Sequence, residues 1–323
     1  MNDVQHIESL REYPYLNIKK IKNDIFSFCL EVCRFPVYVL DYFLLDSRYK
    51  NQIFEAYLKS HIIVNYAVSQ KLKKVIFYGY DYYISFMIAT LRLKQKGIKT
   101  VQYCNSGFLG VHNLEVADTV VFRTNIQVEY AQNNRDIFQS NHLFSLMPRY
   151  KIAKMKPHAS HRIGVYTSGF YARKNFSKQV YRQSGIEAEK KMLDTLKRYA
   201  QQYQEVEIVL FIHLHNGIEN REDAQVYYKD FLAVNNVRLQ NEDEKSIDTF
   251  EAFGLAVTCL SEIFFDRIER GHKVILVNPF ACEAYITQTA LRHLSLYSEN
   301  QNSIKKIESF REMSESSFFK LLS

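Results

Sequence analysis

Apolar and polar positions change period several times along this chain, and each change marks an element. KVIFY at 74–78 is a short apolar run, the polar Gly79-Tyr80-Asp81 follows it, and residues 82–96 then place apolar side chains three and four apart. Gly97 stands just past that stretch, and KTVQY at 99–103 is the next apolar run. The pattern predicts strand, turn, helix, glycine cap and strand. Residues 118–122 (DTVVF) predict a further strand, and Thr124 is placed to cap a helix over 125–134. Before these, residues 21–34 and 51–70 show helical spacing, broken by Phe35-Pro36.

The alternation starts again after a stretch without period. Residues 143–159 contain Pro148, Pro157 and several basic side chains, and predict a connector. RIGVY at 162–166 predicts a strand, 185–203 a charged helix, and 206–213 an apolar strand. After these, 221–234 predicts a helix, 237–239 a strand and 246–253 a short helix. The densest signal is FGLAVTCLSEIFFDRIERGHKVILVNP, residues 253–279. It divides into a strand at 255–258, a hydroxyl-bearing turn, a helix over 262–270, Gly271 as C-cap and a strand at 273–277. Strands that alternate with helices through short joints imply parallel sheets. The expected fold class is therefore α/β, with two Rossmann-like domains whose mainly parallel sheets face a central cleft. The expected boundaries are an N-terminal domain over 1–145 with a helical N-terminal region, a linker over 146–161 and a C-terminal domain over 162–323. The terminal helix is expected to pack back on the first domain.

Composition narrows the class. With 323 residues and 47% hydrophobic content the chain can build two cores. No apolar run reaches the ~20 residues that span a bilayer, and the opening MNDVQHIESLREY lacks an apolar signal core. A cytoplasmic protein is expected. The basic, aromatic segment with Lys19, Lys20, Lys22, Phe26 and Phe28 adds an expectation of peripheral contact with the inner membrane. The net charge of +7 suits an acidic ligand or an anionic surface. The basic residues are scattered and no nucleic-acid motif is present, so no nucleic-acid partner is expected. The 5 cysteines include no Cys-x-x-Cys pair, against a zinc or disulfide framework.

Candidate chemistry gathers where predicted strands end, because ligands of open α/β sheets bind at the carboxyl ends of their strands. In the second half these ends carry Thr167, Ser168 and Gly169 with Arg173. They also carry His213 through His215, Asn216 and Gly217, the 241–246 loop, and Thr258 and Ser261 with Glu262. Hydroxyls, a glycine nest, imidazole and guanidinium suit a nucleotide phosphate and ribose. Ser261 has two readings: a phosphate ligand at a helix N-terminus, or simply the cap of its own helix. In the first half, Asp81 ends a strand, where it serves as the acceptor's general base or as an N-cap, and His112 is the alternative base. Asn105, Ser106 and Gly107 form the loop after strand 99–103. His213 and His215 lie two apart, but no third ligand is placed, and the acidic run Glu242-Asp243-Glu244 reads as an exposed turn, so neither metal nor cofactor is assigned. No G-x-G-x-x-G, P-loop or G-x-S-x-G is present, against a dehydrogenase, an NTPase or a hydrolase.

Residues 72–280 resemble the GT-B class of glycosyltransferases. KGIKTVQYCNSG at 96–107 is similar to a segment of bacterial surface-polysaccharide transferases in which GIKT leads into a Gln-His-Gly loop; here that loop is Asn105-Ser106-Gly107. The order of features further resembles bacterial sialyltransferases and polysialyltransferases. Asp81 stands for their acidic base, although Gly79-Tyr80-Asp81 lacks the acidic pair. His215 stands for the histidine on the CMP phosphate, with Asn216 in place of a proline. Thr258 and Ser261 stand for the hydroxyl motif at altered spacing. The resemblance implies a metal-independent transferase that takes a CMP-activated sialic-acid-like sugar to a glycan acceptor in capsule or lipopolysaccharide synthesis. CDP-glycerol-type polyol-phosphate transferases share this layout. A nucleotide-sugar epimerase and a degenerate GT-B-like binding protein are the other readings. The sequence sets no oligomeric state.

Overall fold

The computed structural model describes residues 47–78, 84–104, 106–108, 116–135, 138, 142–147, 161–173, 179–213, 219–280, 282–297 and 302–322. The expected helix over 21–34 therefore lies outside the described residues. The chain forms two compact units, Met1–Pro148 and Arg149–Ser323.

In the first unit, helix α1 (Ser47–Ser69) precedes β1 (Lys74–Tyr78), α2 (Ile84–Gln95), β2 (Lys99–Tyr103), β3 (Thr119–Thr124), α3 (Asn125–Asn133) and β4 (His142–Met147). The four strands run parallel in the order β1-β2-β3-β4. Val64 and Ala67 of α1, Val75 and Phe77 of β1, and Ala89 and Leu93 of α2 share one core, which explains the spacing read from the sequence. Gly97 follows α2 at φ 72°, a conformation that disfavours a side chain. Thr124 caps α3 in a capping box with Gln127.

One segment departs from expectation. Residues 142–147, read mainly as connector, form β4, paired with β3 from Thr119↔His142 to Thr124↔Met147. As an edge strand β4 has a neighbour on one side only, and His142 is exposed while Leu143 and Ser145 are half-buried. Its apolar pattern is correspondingly weak.

The second unit contains β5 (Arg162–Tyr166), α4 (Gln179–Gln202), β6 (Glu207–Phe211), α5 (Arg221–Tyr227), α6 (Lys229–Leu232), β7 (Val237–Leu239), β8 (Leu255–Thr258), α7 (Ile263–Glu269), β9 (Val274–Val277) and α8 (Glu283–Thr287). β10 (Ser295–Leu296), α9 (Ser303–Glu312) and α10 (Glu315–Phe319) complete it. Its sheet has the order β10-β9-β8-β5-β6-β7 and every pair is parallel. All of β8 and β9 is buried, as the continuous apolar runs of a sheet covered on both faces require.

The helix expected over 221–234 is broken at Tyr228, which leaves helical geometry (φ −93°, ψ 12°) with its side chain buried. The helix expected over 246–253 is only a 3₁₀ turn, Phe250–Ala252. The terminal helices bond to neighbours within this second unit. Lys273 Nζ donates to the carbonyls of Arg311 and Met313, both at 2.6 Å, and Tyr199 donates to Glu308 at 2.5 Å.

Arg267 of α7 is fully buried. Its guanidinium lies 3.2 Å from the Phe253 carbonyl, 3.3 Å from the Lys273 carbonyl and 4.9 Å over the Phe250 ring. It ties α7 to the segments that enter β8 and β9.

Gly185 gives the packing a direct test. A Cβ there would fall 2.7 Å from the buried Phe170 ring. Gly185→Ala should lower unfolding stability by roughly 1–3 kcal/mol through overpacking, read as an earlier urea midpoint. An unchanged midpoint would show that the Phe170 loop gives way.

Candidate functional site in the second unit

Strand order locates the site. From β5 the chain proceeds outward to β6 and β7, then crosses to the other side of β5 and proceeds through β8, β9 and β10. The chain therefore reverses its direction of progress between β5 and β8, which is the topological switch point of the sheet, the place where an open α/β sheet carries its ligand crevice. Tyr166 and Thr258, the last residues of the two strands, are register partners. The predicted residues Thr167, Ser168, Gly169, Thr258 and Ser261 thus meet at one edge.

The hydroxyls of Thr167 and Ser168 are engaged within the protein. Thr167 Oγ1 lies 2.9 Å from Glu219 Oε2 and 3.1 Å from the Phe211 carbonyl. The Ser168 hydroxyl donates to the Leu260 carbonyl and so joins the β5 and β8 loops across the crevice. Gly169 takes φ 63°, which returns the chain so that Ala172 N–H donates to the Gly169 carbonyl at 3.2 Å. Arg173 Nε then donates to the Ser168 carbonyl at 3.1 Å, and its guanidinium lies 5.4 Å over Phe170. Arg182 of α4 donates to the carbonyls of Phe170 at 2.9 Å and Tyr171 at 2.5 Å. Cys259 is fully buried, and burial pushes its thiol up, away from nucleophilic use.

The Ile263 N–H lies 3.4 Å from Ser261 Oγ, while the residue at the N-cap of α7 is Glu262. Glu262, half-buried, makes no side-chain bond to the start of α7. Beside the crevice, a cavity of about 310 Å³ is lined by Ser184, Glu187 and Lys191 of α4, by Asn278 and Phe280 after β9, and by Tyr297. Phe170 meets Phe280 edge-on at 5.1 Å, so the β5 loop packs against the loop after β9.

The 241–246 loop does not join this edge. Glu244 forms paired bonds of 2.7 and 2.8 Å with Arg238 and lies 4.0 Å from Arg162, the first residue of β5 and hence at the opposite edge. Arg238 holds the Glu244 carboxyl down at about 2. Among the described residues no group of three or more His, Cys, Asp or Glu could hold a metal. Asp81, Asn105, His112, His215, Asn216 and Gly217 lie outside the described residues. In the first unit Ser106 is buried, its Oγ 3.1 Å from the Phe108 carbonyl and 3.2 Å from the Phe108 N–H; Gly107 stands within that same turn.

The sequence reading missed a group under the β5 and β6 loops. Glu189 accepts the Ser168 N–H at 2.8 Å, Glu219 accepts the Thr167 hydroxyl and the His213 N–H, and Tyr228 Oη lies 2.8 Å from both carboxyls. A signal existed for one of them. Glu189 shares helical spacing with the buried Met192, Leu193 and Leu196, so an acid stands on the apolar face of α4.

The chain matches no protein-family model and no curated protein. Solved structures do match. Staphylococcus aureus MnaA, described in a co-structure with UDP, aligns with a TM-score of 0.50 at 10% identity, over 86% of this chain and 76% of that one. TarM aligns with a TM-score of 0.50 at 10% identity, over 81% of this chain and 54% of TarM. This chain therefore spans about half the length of TarM. Such low identities show the fold alone. The fold is α/β of the GT-B class. Among the described residues no helix is long and apolar enough to cross a membrane.

Thr258 supplies a test. Its side chain is fully buried, and among the described residues its hydroxyl has no hydrogen-bond partner. An unsatisfied buried hydroxyl is unfavourable. Thr258→Val should leave the unliganded protein as stable as the parent or raise its stability by up to about 1 kcal/mol, measured by urea unfolding. A loss beyond about 1 kcal/mol would show that the hydroxyl is bonded.

Proposed function

We propose that the protein is a metal-independent glycosyltransferase of bacterial surface glycan synthesis that takes its sugar from a nucleotide donor, with a CMP-activated sialic-acid-like sugar as that donor. The observation that carries this reading is the switch-point crevice between β5 and β8, at the edge where an open parallel sheet takes its ligand. The order of Asp81, His215 and the Thr258–Ser261 pair along the chain supports the choice of donor.

The chemistry is a single substitution. An acceptor hydroxyl oxygen forms a bond to the anomeric carbon, the bond from that carbon to the phosphate oxygen breaks, and the nucleotide departs with the electron pair. Asp81, or His112 in its place, takes the acceptor's proton. His215, Arg173 and the N–H groups around Gly169, Gly217 and Ser261 are assigned to the charge that develops on the phosphate. Asn216 and Glu262 are assigned to the donor's remaining polar groups. The hydroxyls of Thr167 and Ser168 keep the loops in place, as their internal bonds indicate.

A second reading, a nucleotide-sugar epimerase, would use a uridine nucleotide, and the match along most of both chains to S. aureus MnaA, described in a co-structure with UDP, supports a uridine-nucleotide site. Thermal stabilisation separates the two. CMP should raise the melting temperature, with EDTA having no effect, since a ligand stabilises the state it binds. A shift with UDP or CDP in place of CMP would move the reading to another transferase or the epimerase, and no shift with CMP, CDP, UDP or GDP would overturn a nucleotide site. In the transferase His215→Ala should lower turnover by roughly 100-fold or more at an unchanged melting temperature. Turnover equal to the parent's would remove His215 from the mechanism.

A further inference from the structure

The buried pair of acids beneath the crevice is not explained by packing. Glu189 and Glu219 are 1% and 2% exposed, and Tyr228 between them is 2% exposed. A phenol has one hydrogen, yet Tyr228 Oη lies 2.8 Å from an oxygen of each acid. One of the two contacts therefore needs a hydrogen from a carboxyl group.

The remaining partners decide which acid carries it. Glu219 Oε2 takes the His213 N–H and the shorter of the two Thr167 hydroxyl contacts, at 2.9 Å, the other neighbour of that hydroxyl, the Phe211 carbonyl, already accepting the Thr167 N–H, so Glu219 is surrounded by donors. Glu189 takes only the Ser168 N–H on Oε2, which leaves Oε1 facing Tyr228. The proton then sits on Glu189 Oε1 and is donated to Tyr228, and Tyr228 donates to Glu219. We propose that Glu189, Tyr228 and Glu219 form one proton-ordered chain whose members are positioning residues for the loops that leave β5 and β6. Loss of the proton from Glu189 sets two carboxylates against a single hydroxyl and loosens the hold on Ser168. That these loops serve a nucleotide donor rests on the reading above; the chain itself does not.

The surroundings support this proton order. Burial pushes the Glu189 carboxyl up to about 7, against the pull of the Ser168 N–H, and the neighbouring Glu219 raises it further. Arg173 on the β5 loop acts in the opposite sense. Cys259, on the loop after β8, is raised by burial and by Glu189. Tyr171 stacks on Tyr227 at 3.8 Å and meets Tyr228 edge-on at 5.6 Å, closing the chain from above. Burial raises both stacked phenols, Tyr227 to about 12; Asp223 adds to the rise on Tyr171, and Arg182 lowers Tyr227.

The sign of the linkage follows. Between the ordinary glutamate value of 4.5 and about 7, the folded protein holds a proton on Glu189 that the unfolded chain has released. The contribution of Glu189 to stability is therefore full below that window, falls as pH rises through it, and is constant above it. Glu189→Gln keeps both bonds, its carbonyl accepting from Ser168 and its amide donating to Tyr228, but it cannot ionise.

The test compares melting temperatures of the full chain and Glu189→Gln from pH 5 to pH 8.5. The two should lie nearest at pH 5 and draw apart as pH rises, the variant melting about 5 °C higher than the parent above pH 7.5. Parallel profiles would overturn the proposal, whatever the outcome with nucleotides. A second measurement needs no variant that must fold. Carbon-13 NMR of the Glu189 carboxyl should titrate near 7 in the parent protein, and a midpoint below 5 would overturn the proposal.

Discussion

Parallel pairing is the constraint on which the second unit depends. Each strand there runs in the same direction, so each must be followed by a crossover that returns the chain to the opposite edge. Two consequences follow. Helices cover both faces, and the strands become continuous apolar runs. Every outgoing loop leaves from one edge, and because the chain reverses its direction of progress at β5, the loops after β5 and β8 become neighbours there. Residues far apart in sequence, such as Ser168 and Leu260, come within one hydrogen bond of each other.

Given that frame, buried polar groups fix the ends of elements rather than face solvent. Arg267 binds the carbonyls that lead into β8 and β9, and Lys273 binds the carbonyls at the end of α9. Glu189 and Glu219 do the same for N–H groups at the ends of β5 and β6. A buried charge or carboxyl is costly unless its bonds are made. Each of these groups is therefore tied to one backbone arrangement, which lends the crevice a definite shape.

The fold was largely legible because the strongest signals are local. KVIFY, KTVQY and RIGVY fall within single strands of the structure, and Gly97 and Gly271 end their helices at φ 72° and 79°. What was not legible depends on tertiary contacts. β4 lies at an edge and carries a weak pattern, while Tyr228 breaks a helix in order to bury its hydroxyl between two acids. The candidate site was legible as a set of strand ends. It was not legible that Thr167 and Ser168 would spend their hydroxyls on internal bonds, because Glu219 and Leu260 are distant in sequence. Glu189 was the exception, visible as an acid on an apolar helical face.

Amide hydrogen exchange, read by mass spectrometry on the full chain with CMP and separately with UDP, tests the central claim most directly, because it reports where a ligand sits. The account predicts slower exchange with one of the two nucleotides in peptides that cover residues 167–173, 258–262 and 278–280. Binding without protection in those peptides, or protection confined to the first unit, would contradict the placement of the donor at the β5–β8 switch point.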